Sequence, residues 1–389
     1  MPFLTNSVLP LAAVTIGSGL FIWVVMQVAL VPWRSSTGLH WTERARLLWT
    51  ARRTLIYASL ACAVCSMLFL NRTQVAVSPF VSIPLIVSGI MLGSFWSARE
   101  IEPRYTFSVW LRQTLWQLVV QFGLLAIGIG LVTTMPDVMT SEAWWRTGIG
   151  LLGVALILSG AWLPLVMRTK QTDLAVTLMQ QRLEQIVARA TESTGVRPRH
   201  VWIARTPMPN AFALPLINAV VFTSRCMEEL DDEECLAIML HEFEHLREPP
   251  GVQLIRLLGG MSLFVFIFVN PMMHRWGSSG LLMLVGAFLL FSRMTAMLRR
   301  RMEHRADDAA IDSAEHSTVY AHALEKIYAA GQLPAVMPGK QMVHPHLYDR
   351  MLQAGVTPAY PRPAPPARLS WLGWFCLALA ALGYLMILS

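Results

Sequence analysis

The chain has 389 residues, of which 54% are hydrophobic and only 14% charged, with a formal net charge of +7. That balance excludes an ordinary soluble globular protein. The arginines gather at the ends of apolar runs, a topology signal and not a nucleic-acid-binding surface. Five cysteines, at positions 62, 65, 226, 235 and 376, are too few and too scattered for a disulfide framework, and Cys62-x-x-Cys65 lies inside an apolar run where it serves packing.

In chain order, the first apolar run, 9–31, has no basic segment before it and is expected to be a retained span, not a cleaved signal peptide. Arg34, Arg44, Arg46, Arg52 and Arg53 follow against Glu43 alone, which puts that loop on the cytoplasmic side. Further spans are expected over 54–70, 75–97 (kinked at Pro79 and Pro84), 113–134 and 147–166. The acidic, Trp-bearing stretch around Asp137, Glu142, Trp144 and Trp145 fits an outer interface, and Arg168 and Lys170 return the chain inside. Polarity then changes. Leu174, Leu178, Leu183, Ile186 and Val187 predict an amphipathic helix ending near Gly195. Val201–Ala204 and Ala219–Thr223 read as short strands separated by a Pro/Asn-rich segment. Spans six and seven, 252–271 and 280–298, are followed by a Pro-rich linker, 355–368, and an eighth span, 369–388. The fold class expected is a mainly α polytopic membrane protein of about eight transmembrane helices, with a small α+β domain built around spans six and seven. Its divisions are an N-terminal membrane domain 1–167, a first catalytic part 168–250, a hairpin 251–298, a second catalytic part 299–354, the linker and the C-terminal span 369–389.

Chemistry concentrates between the strands and span six. Leu230-Asp-Asp-Glu-Glu leads into His241-Glu-Phe-Glu-His245, the H-E-x-x-H pattern of zinc hydrolases. Asp231 or Asp232 can cap this helix, and Glu233 and Glu234 suit the positive end of its dipole. Leu236, Met239, Leu240 and Phe243 recur at helical spacing, so His241 and His245 project from one face towards one ion. Glu242 can then reach water on that ion and act as general base without ligating it. Two histidines leave the site a protein ligand short. The best source is Arg299–Ala310, where Glu303 and Asp307 share a helical face and can supply a ligand and a carboxylate that orients a ligating imidazole. His304 is a rival ligand, but it points away from that face.

These segments resemble the membrane zinc metallopeptidases that include HtpX and the CAAX prenyl endopeptidases. The resemblance covers roughly 170–352 and rests on Pro209-Asn-Ala-Phe-Ala-Leu-Pro215 with Val220–Ser224, on His241–His245 with its Leu-Asp-x-x-Glu lead, on Glu303-His-Arg-Ala-Asp307 and on His344-Pro-His-Leu-Tyr-Asp-Arg350. It implies a zincin-type catalytic domain holding one Zn2+ per chain on His241, His245 and Glu303. Glu242 would be general base and acid, with Asp307 behind the ligands. It also implies that Asn210, Ala211 and Phe212 lie on an edge strand that pairs with an extended substrate, and that His344 and Arg350 lie near the cleft, stabilising an oxyanion or holding the Asp307 region. Five spans before the zinc helix resemble the prenyl-endopeptidase arrangement, from which the eighth span departs.

The expected activity is hydrolysis of membrane-associated, lipid-modified or unfolded polypeptides at the cytoplasmic face of a bacterial inner membrane, with membrane lipids as partners and no nucleic acid. Two other readings compete. One is a sensor-protease that cuts a single regulator, which normally carries a large outer domain that no outer loop here is long enough to provide. The other is a catalytically silent zinc scaffold, against which an intact Glu242 argues.

Overall fold

A computed structural model of the chain describes residues 2–73, 79–164, 174–311, 314–339 and 346–388. It is mostly helical, with one three-stranded sheet. Five helices among the described residues are long and apolar enough to cross a membrane, or six if one bent pair counts as a single span. The chain divides into two compact units, residues 1–114 with 331–338 and 360–389, and residues 115–330 with 339–359.

In the first unit, helices α1 (Pro2–Ala29), α2 (Val31–Arg34), α3 (Trp41–Arg72) and α4 (Pro79–Ile101) precede α5 (Phe107–Thr133), which passes into the second unit. The C-terminal helix α15 (Trp371–Leu388) packs on α3 and belongs to the first unit. Ile22 and Met26 of α1, with Leu30 just beyond it, pack with Leu48, Ala58 and Cys62 of α3 and with Leu372 and Cys376 of α15. Glycine permits α1 and α4 to touch: a Cβ on Gly93 would sit 2.2 Å from the Gly19 carbonyl oxygen. One expectation changes here. The arginine-rich stretch expected as a loop is helical from Trp41, because Arg44, Arg46, Arg52 and Arg53 are good helix formers that prolong the apolar run. Pro84 lies inside α4, which begins at Pro79.

The second unit carries α6 (Ser141–Ser159) and α7 (Leu174–Thr194), which stops at Gly195 in a left-handed conformation (φ 73°) that glycine adopts without steric cost. Strands β1 (His200–Ala204), β2 (Ala211–Leu214) and β3 (Ala219–Thr223) follow. The sheet order is β1-β3-β2, with β1 parallel and β2 antiparallel to β3, so β3 is central and wholly buried while β2 is an edge. The Pro/Asn-rich segment therefore contains a strand that four residues, Ala-Phe-Ala-Leu, are too few to announce by period.

A short α8 (Ser224–Glu229) leads to α9 (Asp232–Leu246). Asp231 caps α9: its side chain accepts from Glu234 N at 2.9 Å, and the Glu234 carboxylate accepts from Asp231 N at 3.0 Å, a reciprocal capping box. Arg182 of α7 donates to the carbonyls of Met227 and Leu230 and pairs with Asp232 at 2.6 Å, tying the start of α9 to its neighbour. Beyond α9, the expected sixth span is broken. Helix α10 (Pro250–Gly260) meets a 3-10 segment, Ser262–Phe268, and α11 (Val269–Trp276) with a bend of 56°. Helix α12 (Ser278–Ala310) then runs unbroken from the expected seventh span through Glu303 and Asp307. Helices α13 (Ala314–Ala330) and α14 (Leu347–Gln353) complete the unit, and residues 355–368 hold no helix or strand.

Candidate metal centre and its surroundings

Helix α9 is buried on nearly all sides, through Cys235, Ala237, Ile238, Met239 and Phe243 as well as His241, Glu242, Glu244 and His245. Burying these ionisable groups, and Glu234 with them, on one helix is tolerated only where each is paired or binds a metal, and the partners are identifiable. One turn of helix brings both imidazoles to the same side, and Glu303 of α12 closes on them from across the cleft. Its carboxylate oxygens lie 3.8 Å from His241 Nε2 and 3.7 Å from His245 Nε2. One ligand atom from each of the three residues lies within 4.8 Å of the others. Bonds of about 2.0–2.1 Å at tetrahedral angles require ligand atoms roughly 3.3 Å apart, so the cluster suits a zinc-sized ion after small side-chain adjustments.

The far side of each imidazole is occupied. His241 Nδ1 lies 2.9 Å from the Tyr320 hydroxyl and 3.2 Å from Asp307 Oδ1. His245 Nδ1 lies 2.9 Å from Glu248 Oε1. A carboxylate on Nδ1 favours the tautomer that leaves Nε2 bare for a metal, which is the usual arrangement behind ligating histidines. Each carboxylate is itself held. Arg350 of α14 donates from Nε to Asp307 Oδ2 at 3.0 Å and from a terminal nitrogen to Oδ1 at 2.6 Å, and it reaches the Tyr320 hydroxyl at 2.5 Å. Arg256 of α10 grips both oxygens of Glu248 at 2.6 and 2.7 Å. Burial pushes the Tyr320 phenol well above its ordinary pKa, so it stays a proton donor. Glu244 pairs with Arg305 and Arg247.

Glu242 is buried, and its Oε2 accepts from Ala213 N at 2.7 Å. That bond fixes the orientation of β2. Asn210 O accepts from Thr223 N, so Phe212 and Leu214 turn their backbone groups to β3 while Ala211 and Ala213 turn theirs to the open edge. The side chains of Asn210 and Phe212 are exposed.

The structure thus brings together His241, Glu242, His245, Glu303, Asp307 and Arg350, with Ala211 on the adjacent strand. His304 is exposed, and His344 lies outside the described residues. Arg350 contacts Asp307 and Tyr320, among the ligand-orienting groups. Three participants escaped the sequence reading: Glu248, Arg256 and Tyr320. Glu248 follows His245 by three residues and could have been found by helical spacing. Nothing local marks Tyr320.

Residues 177–355 match the family model described as Peptidase family M48, the zinc-dependent metallopeptidase family of HtpX and the CAAX prenyl proteases. The match spans the sheet, α9, the α12 carboxylates and Arg350, and it makes the chain a metallopeptidase, a hydrolase of peptide bonds.

Proposed function

We propose that this metallopeptidase is an integral-membrane endopeptidase that cuts membrane-associated or unfolded polypeptides at the cytoplasmic face. The observation that carries the reading is the convergence of two bare Nε2 atoms and a buried carboxylate beside Glu242, which is itself hydrogen-bonded to an edge strand. His241, His245 and Glu303 would hold zinc, which when bound supplies Lewis acidity and lowers the pKa of water to near neutrality. Glu242 takes the proton of the water that attacks the scissile carbonyl and delivers it to the leaving amine. Ala211, with both its outward backbone groups, and Ala213, with its carbonyl, can pair with an extended substrate, so a chain must unfold locally to be cut. Asp307, Tyr320 and Arg350 keep His241 in register, as Glu248 and Arg256 keep His245.

The membrane placement rests on the five long apolar helices and the bent pair; counting α6 and the shorter apolar α15 as further spans, which is part of the proposal, brings the total to about eight. With Arg44–Arg53 inside, this count returns α9 and the Glu303 end of α12 to the cytoplasmic side. The experiment is cleavage of an unfolded protein such as casein by the detergent-purified chain. Cleavage should stop with a chelator and return with added zinc. Cleavage indifferent to the chelator would contradict the proposal.

A further inference from the structure

A cavity of about 200 Å³ opens at the C-terminal end of β2, lined by Ala213, Leu214, Glu248, Gln253, Arg256 and Arg299 among others. Ala213 belongs to both the cavity and the catalytic cluster, because its N–H is the one that Glu242 accepts. A polypeptide added along the outer edge of β2 advances about 3.3 Å per residue. A side chain within one to three residues of the scissile bond therefore falls at this cavity.

The charges of the lining do not cancel. Glu248 has both oxygens on Arg256 and one also on His245, so that anion and that cation are already spent on each other. Arg299 is left. Its Nε is buried without a hydrogen-bond partner, and it forms no ion pair among the described residues. A buried donor left unmade is costly, and a guanidinium presents paired N–H groups that match a carboxylate.

Resting on the peptidase reading above, we infer that this cavity is a specificity subsite in which Arg299 binds a carboxylate of the substrate chain, from an acidic side chain or from the chain terminus. The cavity adjoins the strand along which substrate runs, which favours a peptide carboxylate over the phosphate of a lipid headgroup.

The test uses the full chain carrying Glu242→Gln, zinc-loaded in detergent, and fluorescence anisotropy of labelled ten-residue peptides. One set moves a single Glu along an otherwise neutral sequence against Gln at the same position, and a second pair compares a C-terminal acid with its amide. At one position, or at the terminus, the carboxylate should tighten binding by about tenfold, an advantage that shrinks with salt. Adding Arg299→Gln should bring that ratio to about one, whereas Arg299→Lys should keep part of it. Zinc content and melting temperature report whether each variant has folded. The inference is overturned if no carboxylate is preferred, if Arg299→Gln keeps the ratio, or if that substitution weakens only binding to phosphatidylglycerol vesicles. Chelator-sensitive cleavage of the neutral peptide by the parent chain would then leave the peptidase reading standing. Absence of both binding and cleavage would overturn the two together.

Discussion

His245 and Glu248 set the acid limit of the centre. Burial opposes charge on His245, but the Glu248 hydrogen bond and the carboxylates of Glu242 and Glu303 outweigh it and hold its pKa above the usual imidazole range. Burial also opposes charge on Glu248, and its contacts with His245 and Arg256 hold it below the usual carboxylate range. In chelated protein the raised His245 contributes stability that is full below about pH 6.5 and lost as pH rises through the folded value. Glu248 contributes stability that is full above about pH 4.3 and lost as pH falls through its depressed value. The pair therefore stabilises chelated protein most between those limits. Zinc requires neutral imidazole, so in the native protein affinity starts to fall at a higher pH than a free histidine would dictate. In Glu248→Gln the bend in log Kd for zinc against pH should move to lower pH, and chelated protein should lose its stability advantage near pH 5.5. An unmoved bend would contradict this coupling. The ligand pair itself was legible in the sequence because four-residue spacing on a helix defines a face. Tyr320 was not, because α13 reaches His241 only through tertiary packing.

At the scale of elements, helix α9 was the most legible, since its cap, its acidic first turn and its apolar spacing all agree. Breaks were less so. The 3-10 segment Ser262–Phe268 is as apolar as a regular span, and hydropathy does not register a change of helix type. The start of α3 was masked by its charges, because a span search counts apolar residues and not helix formers. Close helix approach is invisible to hydropathy as well. The contact of α1 with α4 depends on Gly19, Gly89 and Gly93, and a Cβ on Gly89 would stand 2.2 Å from Thr15 O. Gly93→Leu should force the two helices apart and destabilise the chain by about 1–3 kcal/mol, the usual cost of overpacking. A lowered melting temperature in detergent checks this, and an unchanged one would mean that the helices do not pack so closely in the membrane.

For the whole molecule, the proposed topology takes the inner side from arginine placement and keeps both halves of the zinc site on that side. A reporter fused after Thr140, at the start of α6, should appear on the outer side, and a cytoplasmic signal would overturn the span order. The central claim is that one buried cluster holds zinc and that Glu242 moves the proton. The most direct measurement compares the purified chain with Glu242→Gln for bound zinc and for cleavage of casein. Zinc in both, with cleavage at least about a hundredfold lower in the variant, is the expected result for loss of a general base. Equal cleavage by the two, or a correctly folded parent chain that binds no zinc, would contradict the account.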